Sequence, residues 1–102
     1  MAVAVIHEFP IQSENRTTTT YDRVQQALGM RDNLPAGGIV HTAGFDEAAG
    51  VFRIFDVWES REAWDAYLNN PAIRSLMEHG GRQPETRVYE LHNLLGLVRE
   101  AD

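Results

Sequence analysis

The sequence predicts an α+β fold, a ferredoxin-like β-α-β-β-α-β sandwich in which two helices cover one face of an antiparallel four-stranded sheet. Four short apolar segments, rich in branched and aromatic residues, are separated by turn signals. Two further segments carry apolar residues at helical spacing, and the order along the chain is strand, helix, strand, strand, helix, strand. The predicted strands lie near residues 3–9, 39–45, 51–58 and 87–95, and the helices near residues 19–28 and 61–79.

The first half of the chain provides the first strand and the first helix. Segment 3–9 is apolar on both of its faces and ends before Pro10, which is typical of a central strand covered on both sides. A threonine-rich run that can cap a helix comes next. Tyr21, Val24 and Leu28 then recur at i, i+3 and i+7, so they form one apolar helical face.

The second half begins with a predicted hairpin. Segments 39–45 and 51–58 are so close in sequence that they are expected to pair as antiparallel neighbours. Ser60 is the predicted N-cap of the second helix, whose apolar stripe includes Trp64 and Tyr67. A short polar loop leads to the last strand.

In this topology both helices cover the same face of the sheet. The strands are not cleanly polar on either face, so about half of the apolar sheet surface lacks a cover within the chain. A second subunit, laid sheet against sheet, would supply that cover. The sequence therefore predicts a homodimer.

Composition indicates one domain, spanning residues 1–102, and excludes several chemistries. There is no cysteine and no lysine, which rules out disulfides, thiolate nucleophiles, Schiff-base catalysis and a P-loop. The net charge is −6 and the nine arginines are dispersed, which argues against a nucleic-acid surface. The expected partner is a small-molecule substrate or another protein chain.

The start of the sequence carries no membrane or export signal. Its longest apolar run, residues 1–6, is far shorter than the roughly 20 residues of a membrane span, and no basic region precedes it. We therefore expect a soluble cytoplasmic protein that does not bind membranes.

Histidines are the candidate acid–base groups, because imidazole titrates near neutral pH. His7, His41 and His92 lie on predicted strands, whereas His79 lies at the predicted end of the second helix. His7 or His41 could deprotonate a phenol or an activated carbon. The alternative is that each is a buried imidazole with a structural hydrogen-bond partner. His92 could instead order a dimer contact.

Two carboxylates lie in apolar strand segments, where a carboxylate must be paired or must have a raised pKa. Arg53 is a candidate partner for either Glu8 or Asp56. Arg53 and Asp56 fall on opposite faces of one strand by alternation, so they cannot pair from the same side. A structural ion pair is the simpler interpretation.

No ligand pattern for a metal or a dinucleotide is present. The chain has neither His-x-His nor His-x-x-x-His, and it lacks Gly-x-Gly-x-x-Gly. The spacing along the chain does not decide whether the fold brings His7 and His41 together as two metal ligands. The sequence thus predicts no metal and no bound cofactor.

Several segments resemble one known family. Residues 5–9 (VIHEF), residues 55–64 (FDVWESREAW) and residues 70–71 (NP) are similar to the dimeric α/β-barrel superfamily, in particular its antibiotic-biosynthesis monooxygenase-like group. Residues 7–10 together with residues 91–95 resemble a small actinobacterial branch of that group. The resemblance implies a homodimer whose two sheets form a barrel, with a pocket in each subunit.

Members of this group have several different activities, so the resemblance alone implies more than one candidate function. Members include cofactor-free oxygenases of aromatic polyketides and quinols, haem-degrading enzymes and polyketide cyclases. Haem-degrading members use an Asn, a Trp and a His ligand at positions that hold Phe9, Tyr67 and Met77 here, so the haem constellation is absent. Fold alone does not decide among the others.

The leading hypothesis is cofactor-free oxidation of an aromatic or polyketide-like phenol. A histidine would remove a phenolic or C–H proton, and Tyr67 would orient a substrate oxygen. The alternatives are a polyketide cyclase, a non-catalytic ligand-binding or assembly protein and, more weakly, haem binding without degradation. The candidate catalytic residues are His7, His41 and Tyr67, and the candidate substrate-binding residues are Phe9, Trp58, Met77 and His92.

Overall fold

In the part of the chain that the structure describes, the fold is a four-stranded antiparallel sheet with two helices, as the sequence predicts. The computed structural model describes residues 1–11, 19–29, 33–71, 73–75 and 84–96. The strand order is β2-β3-β1-β4, with every neighbouring pair antiparallel. The elements are β1 (Val3–Pro10), α1 (Thr19–Leu28), β2 (Gly38–Asp46), β3 (Val51–Trp58), α2 (Arg61–Leu68) and β4 (Glu85–Glu90).

Strand β1 is central, because it pairs with β3 on one side and with β4 on the other. Val3, Ala4 and Val5 are fully buried there, in keeping with their apolar character on both faces. The prediction of a central first strand is therefore correct. None of the helices in the described part of the chain is long and apolar enough to cross a membrane.

Register assigns each side chain to one of two sheet faces, since residues paired across antiparallel strands point to the same side. Val5, Asp56 and His41 form one row across three strands. The face that carries this row also receives α2, and we call it the helix face. The opposite face, which carries Glu8 and Arg53, is called the open face.

Helix α2 begins as predicted. The Ser60 hydroxyl accepts a hydrogen bond from the Ala63 N–H at 3.1 Å, satisfying one of the free donors of the first turn. Trp64 then turns into the helix face. The core that results contains Val3, Val5, Trp58 and Trp64, with Ala63, Tyr67, Leu68 and Val88 packed around it.

Two elements end well before the predicted residue, while the other boundaries agree within about two residues. Strand β4 ends at Glu90 instead of near residue 95, because its partner strand β1 begins at Val3. Beyond Glu90 the pairing continues with one hydrogen bond, from Leu91 N–H to the Ala2 carbonyl at 2.9 Å. Helix α2 ends at Leu68, before Pro71, which cannot donate a backbone hydrogen bond. Residues 71 and 73–75 are helical again, and the remainder of the predicted helix lies outside the described residues.

Gly37 marks a close approach between the loop before β2 and helix α2. Its φ is +84°, and a Cβ added there would lie 2.5 Å from the Ala63 Cβ. Its carbonyl also accepts from the Glu59 N–H at 2.8 Å, which holds the loop in place. Gly50 has a similar φ of +70° but open space around it.

These two glycines form a matched pair for a stability test. We expect Gly50→Ala to cost about 1–2 kcal/mol, the left-handed backbone penalty alone. Gly37→Ala should cost about 1–3 kcal/mol more, because it adds a steric clash with Ala63. Urea unfolding of both variants measures the difference, and equal losses would contradict the close approach.

Candidate active site

A chain of two short hydrogen bonds links three elements above the helix face. His41 on β2 lies opposite Asp56 on β3, and its Nδ1 is 2.6 Å from Asp56 Oδ1. Its Nε2 is 2.6 Å from the hydroxyl of Tyr21 on α1. The rings of Tyr21 and His41 are stacked, with centroids 5.8 Å apart. We call these three residues the Tyr21–His41–Asp56 chain.

The hydrogen-bonding partners of His41 determine which atom donates in each of the two hydrogen bonds. A carboxylate at neutral pH accepts hydrogen bonds and has no proton to donate, so the Asp56 partner assigns the imidazole proton to Nδ1. In the neutral form of His41, Nε2 then carries a lone pair, to which the Tyr21 hydroxyl donates. Burial raises the pKa of Tyr21, and the charges of Asp56 and Asp22 raise it further, so this phenol keeps its proton at neutral pH.

His7 lies on the helix face one row away from this chain. It is 8% exposed, its Nδ1 is 2.8 Å from Thr86 Oγ1, and its ring packs 5.4 Å from the Trp64 ring. Burial lowers the pKa of His7; the charge of Asp56 opposes this shift, and His41 adds to it. His7 is therefore a neutral imidazole near pH 7, bound to the edge strand through a side-chain hydroxyl.

The lowered pKa makes the stability of the fold sensitive to acid through His7. In the unfolded chain this group regains a pKa near 6.5 and binds a proton more readily than in the fold. Its stabilising contribution is thus complete above pH 6.5 and is lost as the pH falls through the lower folded-state pKa. The other groups with lowered pKa values, Glu8 and Asp46, start from 4.5 and 3.8 and act at lower pH.

We expect the free energy of unfolding to fall between about pH 8 and about pH 5.5, and to fall less in His7→Gln. Urea unfolding at both pH values measures this. The exposed His92→Gln is the control and should keep the wild-type dependence. An unchanged slope in His7→Gln would show that another group senses the acid.

Three aromatic rings form a cluster beside His7. Trp58 packs 4.9 Å from Tyr67 and 5.6 Å from Trp64, and Trp64 and Tyr67 are 5.8 Å apart and nearly parallel. Trp58 is 2% exposed, yet its Nε1–H has no acceptor among the described residues. Burial, with Asp56 and Tyr21 nearby, raises the pKa of Tyr67 to about 12. The cluster thus combines a flat apolar surface with a buried donor that no described residue accepts from.

The other predicted site residues are placed as follows. Phe9 lies on the helix face, paired with Phe52 at the far end of the sheet. His92 is exposed and follows β4, so its predicted position on the last strand is wrong. Met77 and His79 lie outside the described residues. The structure therefore brings His7, His41, Tyr67 and Trp58 to one face, and it adds Tyr21 and Asp56, which the sequence analysis did not place in the site.

The open face carries a separate network of ion pairs between side chains. Arg53 donates to Glu8 at 2.6 and 2.9 Å and to Asp46 at 2.6 Å, and Arg87 donates to Glu8 at 2.9 Å. The hydrogen bond from Arg53 lowers the pKa of Glu8, and both arginine charges add to the shift. Arg53 thus pairs with Glu8 and not with Asp56, and this network is remote from the Tyr21–His41–Asp56 chain.

Comparison with known proteins gives one family and several solved structures. The model for the antibiotic biosynthesis monooxygenase family matches residues 2–79. No curated protein sequence matches significantly. Rv0793 from Mycobacterium tuberculosis is similar in structure, with a TM-score of 0.71 at 18% identity, over 94% of this chain and 100% of that chain.

Two further structures share the fold and differ in stated chemistry. SnoaB, a cofactor-independent oxygenase from Streptomyces nogalater, has a TM-score of 0.67 at 13% identity, over 92% of this chain and 96% of its own. The hydroxynitrile lyase from Passiflora edulis has a TM-score of 0.63 at 12% identity, over 93% and 97%. Since the family model spans most of the chain and these folds agree with it, the chain belongs to the antibiotic biosynthesis monooxygenase family.

Proposed function

We propose that the protein is a cofactor-free enzyme that deprotonates an aromatic or polyketide-like phenol and lets the resulting anion react with dioxygen. The observation that carries this proposal is the His41–Asp56 pair on the helix face. A buried carboxylate 2.6 Å from Nδ1 orients the imidazole and stabilises the imidazolium that forms when Nε2 gains a proton. Of the two candidate histidines, the geometry therefore favours His41 as the base.

The aromatic cluster supports a flat, oxygen-bearing substrate. Trp58 Nε1–H is a buried donor without an acceptor among the described residues, which is costly unless a ligand supplies one. A carbonyl or phenolate oxygen fits that donor, and it would also be stabilised there as negative charge develops. Tyr67 would offer its ring as a stacking surface.

His7 has a different part in this proposal. The lowered pKa of His7 keeps its imidazole uncharged near pH 7. His7 would therefore not take up the proton that His41 has received from the substrate. When the Thr86 hydroxyl donates to Nδ1, the neutral imidazole of His7 carries its proton on Nε2, which can donate one hydrogen bond to a developing oxyanion. We therefore assign His7 to binding an oxygen of the anion and His41 to removing the proton.

The oxidation is balanced by substrate and dioxygen alone. The anion shares its negative charge with a conjugated carbon that still carries one hydrogen; this carbon gives electrons to dioxygen and forms one C–O bond, and protonation gives a hydroperoxide. Loss of the remaining C–H proton with cleavage of the O–O bond leaves a ketone and releases water. The substrate is the reductant, dioxygen the oxidant, and the protein moves protons only.

The comparisons support this proposal at the level of fold. SnoaB, which shares this fold, is described as a cofactor-independent oxygenase. The hydroxynitrile lyase shows that the fold also serves a reaction other than oxidation. A cyclase would use the same proton removal without dioxygen, so oxygen consumption distinguishes the two.

The test is oxygen uptake with mass analysis on a panel of anthrones, quinols and linear polyketide mimics. We expect turnover with one oxygen atom incorporated, and a loss of about 10²-fold or more in His41→Ala. His92→Ala, on the exposed segment after β4, is the control and should match the wild type. A product of unchanged oxygen content would indicate the cyclase, and full activity in His41→Ala would reject His41 as the base.

We also propose that a second copy of the chain covers the open face. Val40 and Tyr89 are exposed there, and the face presents both signs of charge around Arg53, as a self-complementary twofold contact requires. Light scattering should give twice the chain mass of 11.5 kDa. Arg53→Glu, which takes the shared cation from Glu8 and Asp46 and adds a third acid beside them, should shift the mass to that of the monomer; a monomeric wild type would refute the proposal.

A further inference from the structure

Both ring nitrogens of His41 are already occupied in the structure. Nδ1 faces Asp56 and Nε2 accepts the Tyr21 O–H, each at 2.6 Å. A substrate proton therefore meets the Tyr21 hydroxyl before it meets the imidazole. The Tyr21 oxygen still has lone pairs with which to accept a hydrogen bond.

Resting on the proposed function, we propose that Tyr21 is a catalytic residue: its hydroxyl accepts the substrate proton and passes its own proton to His41 Nε2. One O–H or C–H bond of the substrate breaks, and a new O–H bond forms on Tyr21. The former Tyr21 O–H bond breaks, and an N–H bond forms on His41. The net result is a substrate anion, a neutral Tyr21 and an imidazolium whose Nδ1–H is bound to the Asp56 carboxylate.

The surroundings of Tyr21 favour relay over displacement of the phenol. Its ring stacks on His41, and its edge packs against Phe52 at 5.5 Å, which in turn packs against Phe45 at 4.9 Å. These contacts hold the hydroxyl at Nε2, so swinging it away to admit substrate would break both ring contacts of Tyr21. The raised pKa of Tyr21 agrees with a phenol that is protonated before and after the transfer.

The relay also narrows the substrate class. To reach the Tyr21 oxygen, the acidic proton must form a hydrogen bond to it, and an O–H does so far better than a C–H. We therefore assign as substrates phenols, quinols and enol tautomers that present an acidic hydroxyl. Negative charge then develops on oxygen, the atom that Trp58 Nε1–H could bind.

A binding experiment tests the relay without any turnover. 4-Nitrophenol is added to the protein below the pH at which it ionises in solution, and its phenolate absorbance is followed. We expect the bound probe to ionise in the wild type and to stay protonated in Tyr21→Phe, which keeps the ring but lacks the hydroxyl. Tyr89→Phe removes the same hydroxyl from the open face, opposite the face that carries His41, so it is the matched control and should bind and ionise the probe as the wild type does. An equal phenolate signal in Tyr21→Phe would overturn the relay.

Nitrogen NMR of labelled histidine gives a second readout that does not depend on a bound probe. The His41 Nε2 resonance should shift in Tyr21→Phe, because its hydrogen-bond donor is gone, while Nδ1 keeps its proton. An unmoved Nε2 resonance would show that Tyr21 does not donate to His41, and the relay would fail.

Kinetics separate the relay from the proposed function itself. With any substrate from the panel, Tyr21→Phe should lower kcat by about 10²-fold, and rates in mixed light and heavy water should show two transferred protons in the wild type but one in the variant. If His41→Ala is inactive while Tyr21→Phe is fully active, the relay is wrong and the base assignment stands. Full activity in His41→Ala refutes both.

Discussion

Asp56→Asn is expected to lower kcat by about 10²- to 10⁴-fold on any substrate that the enzyme turns over. The carboxylate of Asp56 holds the proton on His41 Nδ1 and stabilises the imidazolium. The Asn amide has the same shape but no charge. When its NH₂ group faces His41, it donates to Nδ1, so the imidazole proton must lie on Nε2. Nε2 could then no longer accept a proton from Tyr21, so the base would be lost even though the side chains keep their positions.

The control separates this effect from a general loss of stability. Asp65→Asn, on the exposed side of α2 and paired with Arg61 at 3.4 Å, removes the same charge away from the site. We expect it to leave kcat unchanged. Circular dichroism should show both variants folded at the assay temperature. An Asp56→Asn enzyme with wild-type kcat would mean that the His41–Asp56 pair is structural.

The pairing of His41 with Asp56 is a feature that the sequence could have yielded. The loop between β2 and β3 places Asp46 opposite Val51, and counting back along both strands puts His41 opposite Asp56. The register of a hairpin follows from the length of its loop. With the second strand ending at residue 46, this count brings the two residues to one face; the predicted end at residue 45 shifts the register by one residue and places His41 opposite Phe55 instead.

Tyr21 could not be found in the same way. Its helical spacing with Val24 and Leu28 predicts only that it belongs to an apolar helix face. The contact with His41 depends on how α1 is placed over the sheet, which is determined by tertiary packing and has no local sequence signal. The burial of the tryptophans was predictable from their large apolar area, but the position of Trp58 Nε1–H, which has no acceptor among the described residues, depends on tertiary packing and was not.

The end of β4 shows a limit of reading strands from composition. Residues 91–95 include three leucines and resemble a continuing strand. A strand, however, needs a neighbour with free backbone groups. Since β1 starts at Val3, the antiparallel ladder has almost no partner residues beyond Glu90, and His92 consequently falls outside the sheet.

Trp64→Ala is expected to produce the largest loss of stability, about 3–5 kcal/mol. Trp64 is 2% exposed, and its ring packs against the rings of His7, Trp58 and Tyr67 at 5.4 to 5.8 Å. Truncation removes the main contact between α2 and the helix face and leaves a cavity among three aromatic rings. For a domain of this size, each kcal/mol lowers Tm by about 4–8 °C, so Tm should fall by more than about 10 °C.

Thermal and urea unfolding of two comparison variants test the reason for this loss. Trp64→Phe retains most of the ring contact and should cost less than half as much, whereas Leu95→Ala, at an 85% exposed position, should cost almost nothing. A cost below about 1 kcal/mol for Trp64→Ala would show that the Trp64 ring contributes little to the core. Trp64 would then belong to the substrate surface together with Tyr67, and the same variant should weaken binding of 4-nitrophenol instead of unfolding the protein.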